Sequence, residues 1–280
     1  MPEQTYPFYH AEASALEGRL HRPISQIIHP QASVFLPREG GYRSARIENF
    51  HVEEVLSFSS AYAQVAGNRS LKANHGPTTL ATAVLENFNV LNVVTADRIV
   101  AQIGTDYRNQ SYIPSITFLG TRFENLRIAG HPVRLELDID FLGENAHNAR
   151  WTENRGLRDR VAGQRQTIES QNRVPPEFLE SYNRLPSNDG TLGSLGCSLV
   201  NHTEGSFPGR CVGHVIDVPH FGRIYLAVLH IRETDLDQDT RMPLQTHVSL
   251  TMIRIQMGCY GEGPLNGGNT IVNGGTKGSG

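Results

Sequence analysis

The sequence contains little lysine and no long apolar run. Lysine occurs only at Lys72 and Lys277, so 23 of the 25 basic residues are arginine. An arginine excess suits carboxylate or phosphate recognition, and it also results from the codon bias of a GC-rich genome. The formal charge of −3 and the pI of about 6.5 provide no basic surface for nucleic acid. No stretch approaches the roughly 20 apolar residues of a membrane helix. We therefore expect neither nucleic-acid binding nor a transmembrane segment.

Cysteine is also scarce. Cys197, Cys211 and Cys259 are too few for a disulfide scaffold. Cys197 and Cys211 either pair across the loop between them or remain free thiols. The first residues lack the basic and apolar regions of a secretory signal. This indicates a cytoplasmic protein, or an extracellular one if a leader has been removed.

Glycine and proline, in contrast, are plentiful. The chain has 27 glycines and 15 prolines, with 38% hydrophobic and 19% charged residues. This balance favours strands joined by many turns over a helical bundle. We predict an all-β fold.

A short motif recurs at a constant interval. The segments RIENFHVEEV, VLENFNVLNV and RFENLRIAGH begin at Arg46, Val84 and Arg122, which are 38 residues apart. They share a Glu-Asn box, in which an apolar residue, glutamate, asparagine and another apolar residue follow one another. The box is formed by Glu48 and Asn49, by Glu86 and Asn87, and by Glu124 and Asn125. A 38-residue unit of this kind must pack on its neighbours to bury its apolar face.

Each unit is predicted to be a strand, a turn and a second strand. The third unit alternates from Val133 to Asp140 with a period of two, which is typical of a strand with one solvated face. Repeated units of this type form either a β-sandwich or a short β-solenoid. In a solenoid the box glutamates would stack as like charges, which is unfavourable. We therefore favour the sandwich and interpret the box as a device that sets strand register.

The pattern divides the chain into five segments. Residues 1–41 are an N-terminal extension, and residues 42–141 are the β-repeat region. Residues 142–196 are a polar, helical insertion, in which Arg155 and Arg158 belong to an arginine-rich stretch. Residues 197–260 contain strands that complete the same domain. Residues 261–280 form a glycine-rich tail.

Candidate chemistry is concentrated among the C-terminal histidines. Imidazole and carboxylate groups are common ligands of transition metals. The candidate ligands are His202, His214, Asp217 and His220. No metal motif spaces them, so a transition metal is the alternative and no cofactor is the expectation.

Three further sets of residues remain open as sites. Cys197 or Ser198 with His202 or His214 would be a nucleophile and base, although no local signature supports the pair. Arg155 and Arg158 could complete a pocket beneath the insertion. Near the N-terminus, charged and imidazole side chains occur together in Glu17, Arg19 and His21.

The chain resembles a group of bacterial β-repeat proteins without an assigned activity. The resemblance rests on the Glu-Asn boxes, on GRIYLAVLHI from Gly222 and on LTMIRIQMG from Leu250. That group is similar in turn to the "choice-of-anchor" surface-protein domains. The resemblance covers roughly residues 14–140 and 195–260. It implies an all-β fold and a surface or matrix role, and it supplies no activity.

Three functions are compatible with these features. The leading one is a non-catalytic structural or interaction protein that self-associates through exposed strand edges. The first alternative is a metal-dependent enzyme with a His/Asp site beneath the arginine-rich insertion. The second is a carbohydrate-binding module, for which Tyr62, Tyr107 and Tyr112 would have to form an exposed aromatic face.

Overall fold

A computed structural model describes residues 8–22, 25–69, 75–108, 113–145, 149–171, 174–182, 191–236, 243–258 and 263–275. Strands account for most of these residues. They are β1 (Phe8–Leu20), β2 (Gln26–Gln31), β3 (Val34–Phe35), β4 (Gly41–Val52), β5 (Leu56–Arg69), β6 (His75–Val90), β7 (Val94–Arg108), β8 (Ser115–Thr117), β9 (Arg122–Glu124), β10 (Arg127–Ile128), β11 (His131–Pro132), β12 (Arg134–Leu137), β13 (Thr191–Ser198), β14 (Val200–Glu204), β15 (Arg210–Val212), β16 (Val215–Val218), β17 (Gly222–Leu236), β18 (Pro243–Met257) and β19 (Gly263–Gly275). The helices are α1 (Arg155–Glu169) and two 3-10 helices, Trp151–Glu153 and Pro176–Tyr182.

Two antiparallel sheets face each other. The nine-stranded sheet has the order β15-β16-β17-β18-β19-β1-β2, with β13 added to β17 and β3 to β1. The eight-stranded sheet has the order β11-β10-β7-β6-β5-β4, with β8 and β9 added to β7. β1, β18 and β19 pack against β5, β6 and β7, and the main core lies between them. The prediction of an all-β sandwich with a small helical insertion is confirmed, and the solenoid alternative is not the observed fold.

Small side chains let the two sheets approach closely. Ala63, Ala83 and Ala101 are fully buried and lie in one cross-strand row of the eight-stranded sheet. Opposite them, a Cβ atom at Gly267 would lie 3.0 Å from Leu85 Cδ1, which is too close for relaxed packing. The sandwich therefore needs glycine and alanine in this layer.

The box asparagines share one backbone conformation. Asn49, Asn87 and Asn125 have φ angles of 54°, 51° and 51°, in the left-handed region that asparagine tolerates better than most residues. Asn49 and Asn87 interrupt the alternation of β4 and β6, and Asn125 lies between β9 and β10. In β6, for example, the buried residues Leu85 and Phe88 are three positions apart instead of two. The box is therefore a left-handed residue that switches which alternate side chains point into the core, without an extra residue on either strand.

Neighbouring strands carry the switch at the same level, so the sheet stays in register. On either side of Asn87, Glu86 pairs with Arg98 and Phe88 pairs with Ala96. Side chains also connect the neighbouring strands at this level. Asn87 Nδ2 donates to Ser59 Oγ at 2.8 Å.

The 38-residue interval corresponds to one hairpin. Glu48, Ser60, Glu86, Arg98 and Glu124 form a single row across five strands. The box glutamates are thus separated by an intervening strand, at roughly 9.6 Å for two strand spacings. Arg98 Nη2 lies 3.6 Å from Glu86 Oε1, between two of the glutamates. The arrangement avoids the like-charge stacking of a solenoid.

Both ends of the described chain are integral strands. β1 belongs to the segment predicted as an N-terminal extension, yet it pairs with β19 on one side and β2 on the other. β19 belongs to the segment predicted as a glycine-rich tail, and it lies between β18 and β1. The glycine-rich segment is thus a strand, in which Gly267 provides close packing between the sheets.

The helical insertion covers part of the outer face of the nine-stranded sheet. The side chain of Asn154 accepts a hydrogen bond from Leu157 N at 3.0 Å and caps the start of α1. Ile168 of α1 and Phe178 of the second 3-10 helix pack on Tyr225 and Val228 of β17 in a second, smaller core. We call α1 and the 3-10 helix Pro176–Tyr182 the helical cap.

Candidate functional site

A pocket of about 280 Å³ lies between the helical cap and the strands beneath it. Its apolar wall includes Phe141, Ile168 and Val200, which are buried. Its polar lining comes from several separate elements and consists of Asp138, Arg160, Gln164, Thr167, Asn201 and His214. An apolar pocket with a few convergent polar groups is the usual form of a small-molecule site.

Gln164 attaches the helical cap to the sheet. Its Nε2 donates to Ser198 O at 2.7 Å, and its Oε1 accepts from Ser198 N at 3.2 Å. The amide thus pairs with the backbone of β13 much as another strand would. The hydroxyl of Tyr182 lies 3.3 Å from the same Oε1 and joins the second part of the cap to this network.

His214 is the buried histidine of the pocket. It lies in the turn between β15 and β16, and only 2% of it is exposed. Its Nδ1 is 3.2 Å from the hydroxyl of Tyr182. Because the oxygen of Gln164 can only accept, both contacts of the hydroxyl are hydrogen bonds only if His214 carries its proton on Nδ1. Its Nε2 is buried and has no hydrogen-bond partner among the described residues.

Burial keeps His214 and Tyr182 in their neutral forms. It lowers the pKa of His214 to about 4, with a smaller effect from His230. Burial also raises the pKa of Tyr182 well above its usual range. His214 is therefore uncharged at neutral pH, which suits an uncharged hydrogen-bonding role.

Arg160 is held at the rim of the pocket. Its Nη2 donates to Leu142 O at 2.6 Å, and its Cζ lies 5.7 Å from the ring centroid of Phe141. The second contact is within the range of a cation–π interaction. These two contacts orient the guanidinium before any ligand arrives.

The nucleophile candidates are occupied or shielded. Burial raises the pKa of the Cys197 thiol to about 12, so the reactive thiolate is scarce at neutral pH. The hydroxyl of Ser198 donates to Leu226 O at 2.8 Å and accepts from Val200 N at 3.0 Å. Both side chains serve the packing of β13. Cys197 and Cys211 are free thiols, and Cys259 lies outside the described residues.

The four residues predicted as metal ligands are not assembled into one group. His214 is buried in the pocket, whereas His202 on β14 and His220 in the turn after β16 are exposed. Asp217 is on β16, where it pairs with Arg210 of β15. No group of three or more potential metal-ligating side chains occurs within the ranges that the structure describes. The four residues lie on separate segments, because His202 is on β14, Asp217 is on β16, and His214 and His220 are in the turns before and after β16.

The other predicted site residues are also placed. Arg155 and Arg158 are exposed on α1, and Arg160 on the same helix reaches the pocket in their place. Glu17 lines a separate groove on the outer face of the nine-stranded sheet. Arg19 and His21 are exposed and do not line the pocket.

Tyr62 and Tyr107 do not form an exposed aromatic face. Tyr107 is buried, with 3% exposed. Tyr62 accepts a hydrogen bond from Arg98 Nη2 at 2.7 Å on the outer face of the eight-stranded sheet. Tyr112 lies outside the described residues. The aromatic prediction that underlay carbohydrate binding therefore does not match these positions.

Two important side chains were missed by the sequence analysis. Gln164 lies on the same helical face as the buried residues Leu157, Val161 and Ile168. A polar residue on an apolar helical face is a detectable signal of a buried contact. Glu233, which is fully buried, gave no such signal because its partners are 81 and 82 residues away.

Comparison with known proteins identifies a family without indicating an activity. Among the described residues, no helix is sufficiently long and apolar to cross a membrane. No curated protein and no solved structure gives a significant match. The resemblance to choice-of-anchor domains stays a prediction. The sequence model of one family matches residues 8–232, so the chain belongs to the family described as a domain of unknown function, DUF8256.

Proposed function

We propose that this protein is a non-catalytic interaction protein that self-associates through the open edge of its eight-stranded sheet. The observation that supports the proposal is β4. It has twelve residues, and the only strand it pairs with in the described part of the chain is β5. An open strand edge presents unpaired N–H and C=O groups and is a template for another strand.

The length and composition of β4 favour a specific contact. Strands of five to six residues are the most common, so β4 is long for an edge strand. Arg43 is exposed, and it lies on the same face as Ala45 and Ile47, which pack against the core. A charge on the inner face opposes unspecific edge pairing, and the left-handed residue Asn49 interrupts the regular strand. They leave residues 41–48 as the segment able to add a partner strand.

An apolar patch adjoins this edge. Tyr42 is 55% exposed and Leu80 is 40% exposed. With Ala66 between them, they form one cross-strand row on the outer face of the sheet. A second copy that pairs with β4 would extend the sheet beside Tyr42 and shield part of the patch.

Proline substitution tests the edge directly. Successive residues point their N–H groups alternately toward β5 and toward the open side. Of the two variants Ser44→Pro and Ala45→Pro, one therefore removes an N–H group that points to the open side, and the other removes an N–H group that points toward β5. The variant that keeps the wild-type melting temperature is the informative one. We expect wild type to show at least twice the mass of the 31.0 kDa chain in light scattering, and the informative variant to be a monomer.

Leu80→Lys is the matched control, since Leu80 lies two strands from the edge. It should leave edge pairing intact. If Leu80→Lys is a monomer while the informative proline variant still associates, the contact between copies lies on the outer face of the sheet and not at its edge. A wild-type monomer at high protein concentration would refute self-association.

A further inference from the structure

The pocket beneath the helical cap contains two opposite charges that have no ionic partner among the described residues. Arg160 and Asp138 both line it. The ion pairs found in the described ranges involve neither residue, so no N···O contact of 4.0 Å or less joins these two side chains. The pocket is thus bipolar, with a cationic and an anionic group that do not neutralise each other directly.

Both charged groups are pre-oriented. Arg160 uses one N–H on Leu142 O and rests on the ring of Phe141, which leaves most of its donors for a ligand. Asp138 Oδ1 accepts from Asp140 N at 3.1 Å, which leaves Oδ2 for a ligand donor. Pre-oriented groups lose little conformational entropy when a ligand binds.

The remaining wall suits an apolar body. Phe141, Ile168 and Val200 are at most 7% exposed, and all three line the pocket. The volume of about 280 Å³ equals roughly nine water molecules at about 30 Å³ each. It lies just under the range of about 300 to 1,000 Å³ for drug-sized ligands. The ligand should therefore be small.

We propose that this pocket binds a small zwitterion with an apolar body, of the chemical class of the apolar α-amino acids. The carboxylate of the ligand pairs with Arg160, because a guanidinium matches a carboxylate with two parallel hydrogen bonds. The ammonium group pairs with Asp138. The side chain contacts the apolar wall of Phe141, Ile168 and Val200. The proposal does not depend on self-association through β4.

Isothermal titration calorimetry with three matched probes tests the charges on the ligand. L-phenylalanine carries both charges, 3-phenylpropionate lacks the amine, and phenethylamine lacks the carboxylate. We expect L-phenylalanine to bind with a dissociation constant in the millimolar range or below. Each truncated probe should bind at least about tenfold more weakly, as expected for the loss of one charged hydrogen-bonding group.

Matched variants test the charges on the protein. Arg160→Gln should weaken L-phenylalanine at least about tenfold and leave the weak binding of phenethylamine unchanged. Asp138→Asn should act in the converse way, weakening L-phenylalanine and sparing 3-phenylpropionate. The controls are Arg158→Gln and Asp140→Asn. Both residues are exposed and lie outside the pocket lining, so both variants should bind as wild type does.

Three results would overturn the proposal. The first is the absence of binding by both L-phenylalanine and L-leucine at tens of millimolar. The second is equal affinity for the zwitterion and the truncated probes. The third is unchanged binding in Arg160→Gln and Asp138→Asn. Because Asp138 is not part of the helical cap, Asp138→Asn keeps the test valid if Arg160→Gln lowers the melting temperature.

Discussion

The most informative stability test concerns Glu233. This carboxylate on β17 is fully buried and accepts hydrogen bonds from Trp151 N at 2.8 Å and Thr152 N at 3.2 Å. The hydroxyl of Thr152 also donates to it. Glu233 thereby satisfies the free N–H groups at the start of the 3-10 helix that precedes α1. Glu233→Gln keeps the shape and replaces one acceptor oxygen with an NH₂ group that faces donors.

The expected loss of stability follows from these contacts. A hydrogen bond to a charged group contributes about 1.5 to 3 kcal/mol, and a buried donor left unpaired costs a similar amount. Since one acceptor oxygen remains, we expect Glu233→Gln to lose about 3 kcal/mol of unfolding free energy. At about 2.1 cal/mol/K per residue, 280 residues have an unfolding entropy of about 0.6 kcal/mol/K. The melting temperature should therefore fall by about 5 °C.

The single tryptophan of the chain reports on this contact. Trp151 is 2% exposed, and its Nε1 donates to Pro114 O at 3.0 Å. We expect urea unfolding of Glu233→Gln to show the tryptophan fluorescence transition at a lower urea concentration than the circular dichroism transition. Glu153→Gln is the control, because Glu153 is exposed in the same 3-10 helix, and it should change stability by less than about 0.5 kcal/mol. A shift below about 1 °C in Glu233→Gln with unchanged emission would refute the argument.

Three further predictions concern the backbone, the packing and the pH response. Asn49→Gly should be nearly neutral in urea unfolding, and Asn49→Val should cost about 1 to 2 kcal/mol, because φ at this position is 54°. Equal stabilities would contradict the left-handed conformation of Asn49. Gly267→Ala should lower the free energy of unfolding by about 1 to 3 kcal/mol, because its Cβ would lie 2.9 Å from Ile253 Cγ2. Gly163→Ala on α1 has open space around it and should raise the free energy of unfolding by about 0.5 to 1 kcal/mol. The opposite order of stabilities would refute the packing argument. Burial lowers the pKa of His214 to about 4, below the roughly 6.5 of an unfolded chain, so its contribution is complete above pH 6.5 and is lost as the pH falls toward 4. The melting temperature of His214→Asn should therefore decrease less than that of wild type as the pH falls from 6.5 to 4. If the melting temperatures of the two proteins change in parallel with pH, this role of His214 is excluded.

The local features of the fold were predictable from neighbouring residues. Alternation and turn residues indicated strands, and the Glu-Asn boxes indicated a repeated register feature. The structure shows the reason for the second signal, since Asn49, Asn87 and Asn125 adopt the left-handed conformation at equivalent levels of one sheet. Asparagine is one of the few residues that adopts this conformation at low cost, so the left-handed position is visible in the sequence.

The direction of strand pairing was not predictable in the same way. A 38-residue repeat is compatible with parallel rungs of a solenoid and with antiparallel hairpins, because both bury one apolar face per strand. Only the pairing of Glu86 with Arg98 and of Ser60 with Glu86 establishes the antiparallel order. The glycine-rich C-terminal segment was similarly ambiguous. Glycine marks loops in most sequences, and at Gly267 it permits close contact between sheets.

The candidate site depended most on tertiary structure. The sequence by itself determined the all-β class, the helical insertion and the presence of histidine and arginine near it. It did not determine that Asp138, Arg160 and His214 line one pocket, or that Glu233 reaches Trp151 across 82 residues. Local patterns reflect the periodicity of a strand or helix over a few residues. Contacts between distant residues depend on how the sheets and the helical cap pack, and that packing is a property of the whole chain.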